Sequence, residues 1–410
     1  MVRIIVDSIR EVCLNPKLSQ CSEIAKRICE KYPTSFAQMY EGQLIGNGYS
    51  DLEHQLQTRA AYVNRDNTLV RVRKQKRRSV DIDDSQPGTS STQPTASKCA
   101  KTDSYGCINW HPLDLPEGET PASAEEKRDE MVNLFSTEGP RAAEHGRVDE
   151  LMKMTYATQR YALNRSPPPS IVELKEQWPF LFISRFMCAH FSTLTGVDVN
   201  TRLHDSLDSK GKKVLHFFQS QLPRWTKDVR TVLKDINRMG NINHGVASLL
   251  VTIAYFKEKE DSLFLLADVS TWDFVNVTTS SADAEDRLSL PSTPRLMALG
   301  DSVLEAKKWM LVMEGNVLIQ SDDLPDFTSA TAVLMACYFV FNIEYQEEAA
   351  SVLEFIQRFF LRINPDGSKC TSKTQVSRKS GKKVQRKSTG LNPHVAKLIR
   401  DIVEFDWQNY

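Results

Sequence analysis

Apolar residues recur at helical spacing along most of this chain, and they concentrate after Trp110. In residues 1–66, Asn15-Pro16 breaks an opening helix. Cys21, Ile24, Ala25 and Ile28 form one apolar face of the next, which ends before Pro33. Gly46-Asn47-Gly48 marks a tight loop. Ser50-Asp-Leu-Glu53 has the S-x-x-E form of a capping box, and Leu52, Leu56 and Val63 line the helix behind it. The pattern predicts a small helical domain.

Residues 67–109 show no apolar period. A basic run is followed by Asp81–Ser97, rich in Ser, Thr, Pro and Gln. Too little apolar surface is present to offset the entropy of ordering, so a disordered linker is expected.

A large, mainly helical body is expected over 110–365. Ser123-Ala-Glu-Glu126 and Ser170-Ile-Val-Glu173 both read as capping boxes. One long helix is expected over Val148–Leu163, ended by Pro167-Pro168-Pro169, and the helix after Ser170 closes at Trp178-Pro179. Further helical patterns cover 184–195, 201–221, 226–238, 246–257, 328–341 and 345–361. A small β-rich section lies near 263–319. Leu263–Leu266, Phe274–Val277, Arg295–Leu299 and Trp309–Ile319 have strand composition, the last turning a hairpin at Gly315-Asn316. Residues 366–410 form a basic tail with a short amphipathic helix through Val395, Leu398, Ile399 and Ile402. The fold class expected is therefore mainly α.

The uncharged stretch Phe327–Ile343 is short for a membrane span and contains Ser and Thr, so it reads as a buried core helix. The N-terminus lacks the apolar core of a signal peptide. Eight cysteines, none in a C-x-x-C pair, do not make a disulfide scaffold. Cys13, Cys21 and Cys29, two helical turns apart, read as buried core thiols. A nuclear or cytoplasmic protein is expected.

Charge changes the picture. The 52 basic and 52 acidic residues cancel overall but are segregated. Residues 1–78 carry about +6, 79–120 about −5, 121–360 about −8 and 361–410 about +7. In R-V-R-K-Q-K-R-R, Arg71, Arg73, Lys74, Lys76, Arg77 and Arg78 form a nuclear-localisation candidate. Lys369, Lys373, Arg378, Lys379, Lys382, Lys383, Arg386 and Lys387, with no acid among them, form a polyanion-binding candidate. Ser79 and Ser388 each follow two basic residues and are phosphorylation candidates, because a phosphate would cancel part of the adjacent charge.

Catalytic chemistry leaves no comparable mark. No phosphate-binding loop, nucleophile elbow, zinc-protease or kinase motif occurs, and Gly46-x-Gly48 lacks the third glycine of a dinucleotide fingerprint. Cys188 and His190, two apart on a helix, point away from each other. Asp81, Asp83 and Asp84 sit in the linker, and Asp322, Asp323 and Asp326 lack the Gly and Glu of a calcium loop. No catalytic residue, metal site or cofactor is assigned.

Longer words carry a resemblance. They are I-N-W-H-P-L-D-L-P-E-G-E-T (108–120), M-T-Y-A-T-Q-R (154–160), V-E-L-K-E-Q-W-P-F-L-F (172–182), T-P-R-L-M-A-L-G-D (293–301), E-Y-Q-E-E-A-A-S-V-L-E-F-I-Q-R-F-F (344–360) and R-I-N-P-D-G-S-K-C (362–370). This body resembles the fish-type family of proteins similar to sterile alpha motif domain-containing protein 3. The unit at 1–66, with I-G-N-G-Y-S-D-L-E-H-Q-L, resembles the segment that follows the sterile alpha motif domain in that family. The domain itself is expected to be missing, so its polymerisation is not carried over. The resemblance implies neither an enzyme activity nor catalytic residues.

The leading expectation is a non-enzymatic interaction protein. Its basic tracts would meet an import receptor or another polyanion, its body would bind a protein partner, and no membrane would be involved. A sequence-nonspecific nucleic-acid binder is the rival reading, and an enzyme without a recognisable motif is the third.

Overall fold

The computed structural model describes residues 1–63 apart from 14, 15, 17 and 41, 108–267 apart from 113 and 241, 290–370 apart from 366, the strands 373–376 and 383–386, and 391–405. Residues 67–107 of the expected linker and the strand expected at Phe274–Val277 lie outside these residues; the linker's last two expected positions are described, and Ile108 is fully buried, so the body begins there. The chain is mainly helical and divides into two units.

The first unit comprises the described residues of Met1–Ser97, Asn364–Gly367 and Thr389–Glu404. Its helices are α1 (Val2–Val12), α2 (Leu18–Lys31), the single turn α3 (Pro33–Phe36) and α4 (Ser50–Val63). A two-residue hairpin, β1 (Met39–Tyr40) against β2 (Gln43–Leu44), precedes α4. Val6, Cys21, Ala25, Cys29, Leu52, Leu56 and Ala60 form the core. Cys21 and Cys29 are thus buried, whereas Cys13 is only partly covered.

The box expected at Ser50–Glu53 does not form. The Asn47 carboxamide oxygen instead accepts from Tyr49 N and from Ser50 Oγ. Glu53 is turned along the helix to accept from Gln57. The amphipathic helix of the basic tail belongs to this first unit. Its Arg400 pairs with Asp51 at the start of α4.

The second unit holds most of the body. It contains α5 (Pro121–Glu138), α6 (Gly146–Met154), α7 (Tyr156–Leu163), α8 (Ile171–Gln177), α9 (Ser184–Thr195), α10 (Val199–Ser220), α11 (Lys227–Arg238) and α12 (His244–Phe256). Then come β3 (Phe264–Ala267), β4 (Arg295–Leu299), β5 (Lys308–Met313), β6 (Asn316–Ile319), α13 (Phe327–Val340) and α14 (Ala350–Phe355). The four strands form one sheet in the order β3-β4-β5-β6. The β3–β4 pair is parallel and the others antiparallel.

Helix α13 organises this unit. It is apolar on every side, as a helix surrounded by protein must be. From Ala330 to Val340 it is buried without a break. It packs on α9 and α10 on one side and on β4 and β5 on the other. The stretch read from sequence as a core helix is therefore the layer between helices and sheet. Helix α10 crosses α12 closely at Gly211, where an added Cβ would stand 3.0 Å from the His244 carbonyl oxygen.

Several boundaries differ from expectation, each for a local reason. The helix after Thr120 is capped by Thr120, with Ser123 as the reciprocal partner, so Ser123 lies inside the helix and does not start it. The Ser170–Glu173 box forms as read. The long helix expected over 148–163 breaks at Thr155, whose hydroxyl turns back to the Leu151 carbonyl. The β5–β6 hairpin turns at Glu314-Gly315, one residue earlier than expected. Both residues have positive φ, at 51° and 76°, as a two-residue type I′ turn requires. The segment 345–361 is helical only from Ala350, then widens into a π turn over Ile356–Phe360.

Candidate functional site

Much of the expected site lies outside the described residues: Arg71–Arg78, Ser79, Arg378, Lys379, Lys382, Lys387 and Ser388. The backbone places Lys373, Lys383 and Arg386 on a second hairpin, β7 (Lys373–Val376) and β8 (Lys383–Arg386). Lys373 stands opposite Arg386, and Val376 opposite Lys383.

Lys369 departs from the other cations. It is 1 % exposed, with Nζ 5.1 Å from the Phe339 ring centroid and 5.5 Å from that of Tyr345. Two aromatic faces compensate its desolvation, so it is a structural cation packed inside the body. Its carbonyl accepts from Tyr345 N at 2.9 Å, and Cys370 forms a parallel bridge with Tyr345. The chain is thus fastened to the body immediately before β7.

That fastening sits on a buried polar cluster. Glu354 and Arg358, one helical turn apart, pair at 3.0 Å with side chains essentially without solvent contact. The Cys370 thiol lies 3.3 Å from Glu354 Oε2 and 3.4 Å from the Ala350 carbonyl. Burial and the neighbouring carboxylate push this thiol well above its ordinary pKa. Glu258 accepts from Ser351 N and Val352 N at 2.7 and 3.0 Å, holding the start of α14. Lys210 donates to the Phe359 carbonyl where the π turn frees carbonyl groups.

A second polar group is also buried. Arg160, fully buried, donates to the carbonyls of Val340, Trp110 and Ile108, which ties the entry segment of the body to α7 and α13. His190 Nδ1 faces Gln159 Oε1 at 3.1 Å, and Gln159 in turn donates to Thr155 and Met152. Burial, reinforced by the Arg160 charge, holds this imidazole well below its usual pKa and therefore neutral. Cys188 turns elsewhere, its Sγ 3.8 Å from Asn200 Oδ1, and desolvation pushes its pKa up to about 12. The two residues do not form a pair, as their spacing on a helix foretold.

The second unit also has an open cleft of about 520 Å³. Three helix starts line it: Ser184 and Arg185 of α9, Asn200 and Thr201 of α10, and Thr328 and Ser329 of α13. His204, Asp205, Asp323 and Asp326 complete its polar wall. Asp326 caps α13 through Ser329 N at 2.7 Å, and Arg185 holds the Ala143 carbonyl and Asp149. Among the described residues, no cluster of His, Cys, Asp and Glu could hold a metal ion. No described helix is long and apolar enough to cross a membrane.

Sequence reasoning missed this cleft, because its residues come from three helices that only tertiary packing brings together. The caps at Asp198 and Asp326 were the local signs, since an Asp before a helical run marks a helix start. The buried Arg160 gave no sequence signal, being one arginine among many.

Residues 124–183 match the family model described as "Sterile alpha motif domain-containing protein 3, helical domain". The match runs from α5 through the 3₁₀ turn Pro179–Phe182, so it covers the opening helices of the second unit. Comparison with curated proteins returned no match, and comparison with solved structures returned none either.

Proposed function

We propose that this is a non-enzymatic interaction protein of the nucleus, or one that shuttles to it. The helical body grips a protein partner, and the cationic tracts engage an import receptor or another polyanion. The matched helical domain supports a protein-interaction role.

The observation that carries the reading is the state of the body's reactive groups. The Cys188 thiol is held protonated with a pKa near 12, the His190 imidazole is held neutral, and Arg160 and Glu258 are bonded to backbone groups that define the fold. These groups serve packing and segment anchoring. A catalyst that used Cys188 and His190 would need them poised near neutrality and exposed to a substrate. The open cleft, with hydroxyls and charges of both signs, suits a polar peptide segment of a partner. In this reading Arg71–Arg78 is the import signal, and phosphate on Ser79 or Ser388 weakens the adjacent tract.

Nuclease treatment and salt separate this reading from a nucleic-acid binder. Complexes isolated with the tagged full chain should keep a defined protein partner after nuclease digestion, and should lose little of it between 50 and 200 mM salt. Phosphate contacts would instead cost about 10³–10⁵ in affinity over that range. Loss of every partner on nuclease digestion would favour the nucleic-acid reading.

A further inference from the structure

We infer that the first unit carries a peptide-binding pocket, in addition to the cleft proposed above. Its occupant is an extended segment of a partner protein, with an apolar side chain and a cation close by. The pocket encloses about 430 Å³. Ser35 to Met39, five consecutive residues, form one wall. The start of α1, the first turns of α4 and the end of the tail helix Pro393–Val403 form the rest.

Backbone geometry points to a peptide. Opposed residues of an antiparallel ladder alternate between pairs that exchange hydrogen bonds and pairs that do not. Ile45 N donates to the Gln38 carbonyl at 2.9 Å, so Gln38 and Ile45 face each other. The next pair, Met39 and Leu44, is then of the other kind. The N–H and C=O of Met39 therefore point away from β2, and among the described residues neither has a backbone partner outside the hairpin. One donor and one acceptor on an open strand edge are what an extended peptide takes up. The apolar surface suits a side chain of that peptide. Ile45 and Leu52 are buried behind the pocket, while Met39 and Val403 on its rim are 44 % and 40 % exposed. Nine of the fifteen large apolar side chains exposed among the described residues belong to this smaller unit, so its surface is the more apolar of the two. Charge sets the flank. Arg400 is the one cationic side chain lining the pocket, and it is paired with Asp51, which leaves the carboxylate of Glu404 exposed on the rim. A Lys or Arg beside the apolar anchor meets that carboxylate. A small apolar molecule would leave the Met39 edge unused, and a polyanion would be repelled by Glu404.

The test selects peptides from a random phage-displayed library on the immobilised full chain, then measures the affinity of the synthetic peptides by fluorescence anisotropy. Selected peptides should share an apolar residue with a Lys or Arg close to it. An N-methyl group placed at each peptide residue in turn should weaken binding about ten-fold at the residue facing Met39, the size of one hydrogen bond lost, and little at its two neighbours, whose N–H groups point the other way. Met39→Asp/Val403→Asp should abolish binding while the melting temperature stays the same, because both side chains stand on the rim. Val12→Asp, at the other end of α1, and Thr201→Arg/Thr328→Arg, in the cleft of the second unit, should leave binding intact. The methyl scan uses the unaltered chain, so it decides even where a substitution disturbs the fold. Failure to enrich any peptide, or a methyl scan without this alternation, overturns the inference. Binding lost in the cleft pair but kept in the rim pair overturns it as well and assigns the peptides to the cleft. A dimer in sedimentation velocity that the rim pair dissolves makes a second copy of this chain the occupant, and likewise overturns it.

Discussion

Arg160 Nη1 donates to the Val340 carbonyl at 2.7 Å, joining residues 180 positions apart at the C-terminal end of the body's central helix. The same guanidinium reaches Ile108 and Trp110. One side chain therefore ties the first described segment of the second unit to its innermost helix.

Arg160→Met should leave these carbonyls short of their donor inside the protein. A loss of about 3 kcal/mol or more is expected, given the cost of buried unsatisfied groups and of breaking charge-assisted bonds. Urea unfolding of the full chain checks this. A change below about 1 kcal/mol would show that water or neighbouring groups replace the arginine.

The Glu354–Arg358 pair makes a sharper case, because its members should be non-additive. Glu354→Gln leaves a buried guanidinium without its carboxylate and should cost about 3–5 kcal/mol. Replacing both, as Glu354→Leu/Arg358→Met, removes the charge with the partner and should cost much less. Additive losses in a double-mutant cycle would show that the two side chains act independently.

His190 fixes the sign of one pH dependence. In the unfolded chain its imidazole titrates near 6.5, and in the fold it is held well below that. Above 6.5 neither state is protonated, so the residue makes no pH-dependent contribution. As pH falls below 6.5 the unfolded chain takes a proton that the fold refuses, and stability declines down to the depressed folded value. Urea midpoints for His190→Gln should therefore fall less steeply than wild type on this acid limb. Parallel limbs would mean that His190 is protonated without penalty.

Localisation tests the N-terminal tract. Changing Arg73, Lys74, Lys76, Arg77 and Arg78 to Ala, with the C-terminal tract also neutralised, should move a fluorescent fusion toward the cytoplasm. Unchanged nuclear accumulation would remove the import role.

What the sequence disclosed follows the range of each interaction. Helix α9 and strand β4 appear where their local patterns put them, and α13 is the core helix its uncharged stretch indicated. The Ser170–Glu173 box was legible because both partners lie within four residues. The Ser50 box failed because Asn47, three residues upstream, offers a competing carboxamide oxygen. The break at Thr155 rests on one hydroxyl, and the π turn on a polar environment built by distant segments, so neither has a periodic signature. The burial of Lys369 was illegible for the same reason. Its neighbours in sequence are the tail's other cations, but its neighbours in space are Phe339 and Tyr345.

The most direct test asks whether the cleft of the second unit holds a protein. Thr201→Arg/Thr328→Arg fills two of its three helix starts with bulky cations, both placed on the polar wall. Quantitative cross-linking in cells, read after nuclease digestion, compares this variant with wild type and with the tract-neutralised chain. A defined protein should lose at least about ten-fold of its cross-links in the cleft variant, equivalent to about 1.4 kcal/mol of binding, and keep them when only the tracts are neutralised. Cross-links that survive the cleft substitutions but disappear with the tracts would contradict a protein-binding body.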